Sequence, residues 1–370
     1  MHEPMNQGYR YGRSLFNRLA LLLALVLALN LPPAAAWAEC LLYTFAANDP
    51  PQELTITAHA VADGTATITL TFAGDCTLGG ETSIQSSRNS FASRVAVGGM
   101  GYPFAELQTL FATDDCTIVN LEGVLSDSRK GKVKKTYNFL GSTAYAGILT
   151  AGSVECVNLA NNHALDYGKR GLDDTIGALQ AARIAFFDQN KVAILEKDGV
   201  RIGFTASLFG LGATGEDRLA AQMAVLKDLG CVAIIHTMHA GVEYQKHASH
   251  SQRVTAAAAV KHGATLVVGH HPHVVQPVAL LGNVPAVYSL GNCSFGGNLD
   301  PRDYDAALLR AVFTFEDGAP ASLTWKLHPI CVSGERKRNN FQPVLLTGED
   351  AARVVEKMGG VAEQTIRYER

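Results

Sequence analysis

Positive charge is scarce in this chain. Thirty-one Lys and Arg stand against 34 Asp and Glu, so 370 residues carry a net charge of −3 with a pI near 6.5. No basic field is available to hold a polyanion such as nucleic acid, and the class of nucleic-acid-binding proteins is set aside on that ground. No C-x-x-C occurs, which removes zinc ribbons and thioredoxin-type redox sites. Walker A, G-x-S-x-G and H-E-x-x-H are also missing, and with them the usual P-loop, serine-hydrolase and zincin readings. Internal repeats are not visible, which disfavours a solenoid. Gly210 to Gly215 fits G-x-G-x-x-G. However, the next strand ends in His236 where a dinucleotide site needs an acid, so the stretch reads as a glycine-rich loop.

Long apolar runs are few. Arg10, Arg13 and Arg18 precede the run Leu19 to Leu31, which is shorter than the roughly 20 residues that span a bilayer. Ala36-Trp37-Ala38 then supplies small residues at a signal-peptidase site. Residues 1–38 are therefore expected to be an export signal cleaved after Ala38, or an uncleaved anchor, and the mature protein is expected outside the cytoplasm or at the cell surface. Seven cysteines are an odd number for such a chain, and their pairing cannot be assigned. Cys116, Cys156 and Cys231 open apolar runs and read as small core hydrophobes. The basic runs Arg129 to Lys135 and Arg336 to Arg338 read as solvated loops.

Hydrophobic residues make up 47% of the chain, ample for a large core. Residues 39–65 read as a turn-rich lead-in with one strand (LTITAHAV), 66–348 as the main domain and 349–370 as a C-terminal helix. Within the main domain an apolar strand repeatedly ends in a polar cluster and a helical stretch follows, the sign of an α/β fold with a largely parallel sheet. Asp75, Glu122, Asn162 with His163, His239 and the His271/His273 pair all fall at such strand ends, where ligands bind in open α/β sheets. Each has an ordinary explanation: turn or cap for Asp75 and Glu122, a left-handed turn for Asn162, a satisfied core position for His239. Their joint occurrence points to two divalent ions about 4 Å apart, with Glu122 giving one oxygen to each. Gly269 is expected to turn the backbone, so that His271 and His273 aim at one ion from an extended segment. Without thiolate ligands the ions are Mn, Fe or Zn. Cys76 is expected to face the core, opposite to Asp75.

Gly74-Asp75, Asn120-Leu121-Glu122-Gly123, Ala160 to Gly168 (ANNHALDYG), His239 to Tyr244 (HAGVEY), Gly269 to His273 (GHHPH) and Tyr288 to Asn292 (YSLGN) resemble, in order, the bacterial capsule-synthesis CapA-type (PGA_cap) family. This is a branch of the calcineurin-like metallophosphoesterases, and the likeness covers residues 68 to 345. The resemblance implies a four-layer α-β-β-α sandwich. It implies metal ligation by Asp75, Glu122, Asn162, His239, His271 and His273, and a catalytic His163 that protonates the leaving oxygen or steadies the phosphoryl group. Asn161, Glu243 and His270 are implied to order ligands or substrate.

The chain departs from the wider pattern in places. Gly74-Asp75-Cys76-Thr77 lacks the imidazole of Gly-Asp-x-His, Ala240 and Cys293 replace aromatic residues, and Glu122 stands for a bridging Asp. The expected function is an exported metal-dependent hydrolase of phosphoesterase type, acting on a phosphoester or on a cell-envelope polymer of the poly-γ-glutamate kind. The alternative is a non-catalytic, metal-containing subunit that holds a polyanionic polymer within a capsule-synthesis membrane complex.

Overall fold

Runs rich in Val, Ile and Leu with small residues between them, such as Cys231–His239 and Leu266–His270, form strands buried on both faces because other layers cover each side. The computed structural model describes residues 40–50, 64–335 and 337–368. The segment 1–38 and the expected strand LTITAHAV lie outside them. From Leu41 onward the chain is one compact unit.

Two large sheets organise it. The first runs in the order Leu41–Ala46, Lys191–Lys197, Val200–Leu208, Cys231–His239, Leu266–His270, Val284–Leu290, Val275–Leu281. The second runs Val344–Leu345, Ala319–Cys331, Asp305–Glu316, Thr65–Thr77, Cys116–Leu121, Cys156–Asn158, Ala185–Phe187. Strand Asn292–Phe295 pairs parallel to Thr65–Thr77, and Glu363–Arg367 pairs antiparallel to Ala319–Cys331. A small third sheet joins Gly80–Glu81, Phe139–Gly141 and Val124–Leu125. Helices Ala213–Asp228 and His250–His262 cover the first sheet, Leu219, Met223, Ala256 and Ala259 packing on Ile234 and Val267. Helices Phe91–Gly98, Ala146–Ala151 and Gly168–Ala181 cover the second, through Phe91, Ile148 and Leu179. The architecture is thus a mixed α/β sandwich of the metallophosphoesterase kind. Among the described residues no helix is long and apolar enough to cross a membrane.

Several boundaries differ from expectation. Leu41–Ala46, assigned to a lead-in, is an edge strand paired antiparallel with Lys191–Lys197. The expected helix over 349–370 is a shorter helix, Gly348–Lys357, followed by the strand Glu363–Arg367. The Gly359-Gly360 pair, both at positive φ, ends the helix and lets the chain return to the sheet.

Candidate metal centre

The carboxyl ends of strands from both sheets meet at one rim. From the second sheet come Asp75, near the end of Thr65–Thr77, and Glu122, just after Cys116–Leu121; from the first come His239 and His270, each the last residue of its strand. Register places Asp75 beside Asn120 and beside Asn292, and His239 beside His270. Gly74 is required there by contact. A Cβ on it would lie 2.0 Å from the Gly291 carbonyl oxygen, the oxygen that accepts the Asp75 amide at 3.0 Å.

Ligand atoms of Asp75, Glu122 and His239, all buried, lie within 4.8 Å of one another. Glu122 Oε1 is 3.7 Å from His239 Nε2, 3.8 Å from His163 Nε2 and 3.9 Å from His273 Nε2. These separations are too long for hydrogen bonds. They are shorter than the roughly 4.2 Å reached by two ligands at about 2.1 Å on opposite sides of one ion. Both carboxylate oxygens of Glu122 are buried without a hydrogen-bond partner, as are Nδ1 of His270 and of His271. Such atoms are costly to bury unless something completes them, and a divalent cation does so. The donor set therefore fits a metal.

Second contacts orient the donors. Asp75 Oδ1 accepts from Asn120 Nδ2 at 2.7 Å, and Asp75 Oδ2 accepts the His271 amide at 3.1 Å. His239 has Asn120 Nδ2 at 3.2 Å from Nδ1 and Asn162 Oδ1 at 2.8 Å from Nε2. His273 Nδ1 lies 2.9 Å from Asn292 Oδ1 and 3.2 Å from Asp75 Oδ2. His270 Nδ1 is 3.7 Å from Asp75 Oδ1. The His271 ring packs against that of His239, centroids 4.8 Å apart.

The segment carrying His271 and His273 is not extended, contrary to expectation. Both residues have positive φ, 97° and 57°, a backbone that non-glycine residues hold only when surroundings enforce it. Gly269 makes no turn either. It lies within the strand, and a Cβ on it would meet the Tyr288 carbonyl oxygen at 2.0 Å.

Charge in the cluster is unbalanced. Burial, reinforced by Asp75, pushes Glu122 well above the usual carboxylate range. Burial would raise Asp75 too, but the His273 hydrogen bond and the charges of His273, His239 and His270 hold it below that range. His273, despite burial, is pushed up by the Glu122 and Asp75 carboxylates. Burial pushes His239 well below its ordinary value and lowers His270 and His271. A buried pair of carboxylates thus draws a proton onto His273, the imidazole whose ring nitrogen lies nearest Asp75, at the place a cation would fill.

His163 stands on the cavity side of Glu122. Its Nδ1 donates to Asp166 Oδ2 at 2.7 Å, and its ring stacks on Phe139 at 4.1 Å, which turns Nε2 toward the centre. Fully buried Asp166 also accepts from the Phe139 amide at 2.6 Å and from Lys135 Nζ at 2.7 Å. Burial lowers the His163 pKa, and the Asp166 bond and charge oppose the fall. Asn161 does not face the cavity. Its side chain donates to the Leu121 carbonyl at 2.8 Å and accepts the His163 amide at 3.1 Å, so it fastens two motifs together. Exposed Glu243 lines a cavity of about 800 Å³ that also borders His163, His273 and Asn292. Thr77, where the wider superfamily places an imidazole, donates its hydroxyl to the Glu122 carbonyl at 2.8 Å. Cys76 faces the core together with Cys293.

Asn120, Asp166, Asn292 and Lys135 escaped the sequence reading. The first three lay inside quoted motifs without a role. Lys135 lay in a basic run assigned to solvent, yet it reaches Asp166 and the Asn162 carbonyl at 2.9 Å.

The family described as bacterial capsule synthesis protein PGA_cap matches residues 69–296, a stretch that holds every candidate ligand. The capsule biosynthesis protein CapA of Bacillus anthracis is 31% identical over 238 residues, 57% of this chain and 58% of that protein. The PGA biosynthesis protein CapA of Bacillus subtilis is 27% identical over 229 residues, 56% of this chain and 60% of that one. A probable polyglutamine synthesis accessory protein of Mycobacterium tuberculosis is 25% identical over 212 residues, covering 49% and 55%. The chain thus spans less than two thirds of the length of each of these relatives.

Proposed function

Because this chain belongs to the bacterial capsule synthesis protein family PGA_cap, we propose that it is a metal-dependent hydrolase of phosphoesterase type, serving synthesis of an anionic capsular polymer of the poly-γ-glutamate kind. The observation that carries this reading is Glu122, a buried carboxylate with neither oxygen hydrogen-bonded and imidazole nitrogens on several sides. Asp75, Glu122, Asn162, His239, His271 and His273 would hold divalent metal there, around the buried Glu122 carboxylate. Bound there, such ions supply Lewis acidity and lower the pKa of water into the neutral range.

The chain's own groups do the rest. Asp166 fixes the proton of His163 on Nδ1, so Nε2 meets the substrate as a proton acceptor, and as a donor once an anion enters beside it. Lys135 balances the Asp166 charge. Phe139 and Phe295 wall the cavity and limit water. Export, and work beside a membrane complex, belong to the same proposal and rest on the N-terminal segment alone.

Metal analysis of the purified protein and turnover of bis(p-nitrophenyl) phosphate and p-nitrophenyl phosphate test it. Wild type is expected to bind Mn, Fe or Zn and to turn over one of the two. His163→Ala should keep its metal and lose about 100-fold or more in kcat. A second reading, a metal-containing subunit that holds polymer without cleaving it, is favoured by Thr77, which leaves one site an imidazole short. Metal without turnover in wild type would select it, and a chain that binds no metal would sink both.

A further inference from the structure

The cavity over His163 and His273 has a wall that the metal chemistry does not use. Exposed Arg302 stands on it, its guanidinium carbon 4.6 Å from the centre of the Tyr244 ring. Tyr244 is a fixed platform. Its φ of 63° is enforced from outside, and its amide donates to the Pro272 carbonyl at 2.8 Å, tying it to the turn that carries His271 and His273. The Tyr244 and His273 ring centres are 6.3 Å apart.

Among the described residues no carboxylate pairs with Arg302. Its neighbour Asp303 is engaged by Lys357 at 3.0 Å. A guanidinium held over an aromatic face by the cation–π attraction keeps N–H donors free for a planar anion such as a carboxylate. Glu81, Glu243 and Asp303 on the same walls favour a singly charged carboxylate over a dianionic phosphate. Arg302 also lies beyond residue 296, where the family match ends.

We propose that Arg302, seated on Tyr244, is a positioning residue that docks a substrate carboxylate on a unit adjacent to the one lying over the metal centre. Taking the site as a polymer-handling metal centre, as above, this makes the substrate a chain of regularly spaced carboxylates read at two points. The metal centre takes one unit, and Arg302 holds the register of the next.

Isothermal titration of the Mn-loaded full chain with a γ-linked glutamate tetramer, and with its uncharged γ-linked glutamine counterpart, tests this. Arg302→Ala is expected to weaken the charged tetramer about 2- to 5-fold, the range of one exposed ion pair, and to leave the neutral one unchanged. Arg302→Lys should recover part of the loss. Turnover of bis(p-nitrophenyl) phosphate, which has no carboxylate, should stay within about 2-fold in kcat/KM. Equal weakening of both tetramers, no weakening, or wild-type failure to prefer the charged one would each overturn the proposal. Absence of phosphodiester turnover in wild type would count against the hydrolase reading alone, since the titration needs no catalysis.

Discussion

His236 and His239 sit three positions apart in one strand and do opposite things. His239 faces the rim, whereas His236 points into the first sheet's packing, its ring nitrogens 2.9 Å from the hydroxyls of Thr205 and Ser207. Burial holds the His236 pKa down to about 3. An unfolded histidine titrates near 6.5, so below that pH the unfolded chain takes up a proton the folded one refuses. Stability contributed by the neutral ring is complete above pH ~6.5 and is lost as pH falls toward ~3, at up to about 1.4 kcal/mol per unit. His236→Asn should flatten urea-unfolding stability between pH 7 and pH 5 by about one proton's worth relative to wild type. An identical acid slope in the variant would place the titrating group elsewhere. Residue type and local apolar context are the same for both, and what singled out His239 in the sequence was its place at the head of the His239 to Tyr244 motif. The sequence named the ligand candidates by type, but Asp166 and Lys135 took their places only when distant segments closed over His163.

Close backbone contact, not turning, explains Gly74 and Gly269 at the rim. The strand Leu266–His270 runs parallel to Val284–Leu290, and at Gly269 the Tyr288 carbonyl occupies the volume of a side chain. Gly269→Ala must push the two strands apart or shift the His271–His273 turn. It is expected to cost about 3 kcal/mol or more and to weaken metal binding together with stability. Urea midpoints with and without Mn measure both, and unchanged midpoints would mean the strands have room to spare. A glycine before a histidine cluster reads as a turn in sequence because conformational freedom and contact leave the same mark. The strands themselves were legible for a simpler reason. Covered parallel strands such as VAII and LVV must be apolar on both faces, and that pattern needs no partner to be recognised.

Only the assembled sandwich decides where the domain ends. The helix Gly348–Lys357 buries Val354 and is tied to Asp305 by Arg353 at 2.8 Å and Lys357 at 2.7 Å. The strand Glu363–Arg367 then extends the second sheet and buries Ile366. Ending the chain after Thr347 removes Val354, Met358 and Ile366 from the core, about 1.5–3 kcal/mol each, a large part of a typical 5–15 kcal/mol total. The truncated protein should melt at markedly lower temperature or lose its cooperative transition by circular dichroism. A wild-type melt would make the last residues an appendage. The sequence by itself determined the alternation of buried strands and helices, the chemical character of the rim and the family, because hydrophobic period and residue type are local properties. It could not determine the left-handed turn at His271 and His273, the inward course of Lys135, the seat of Arg302 on Tyr244 or the strand that closes the chain. Each of these is fixed by a partner far away in sequence, and such a partner acts only once two sheets have been brought face to face.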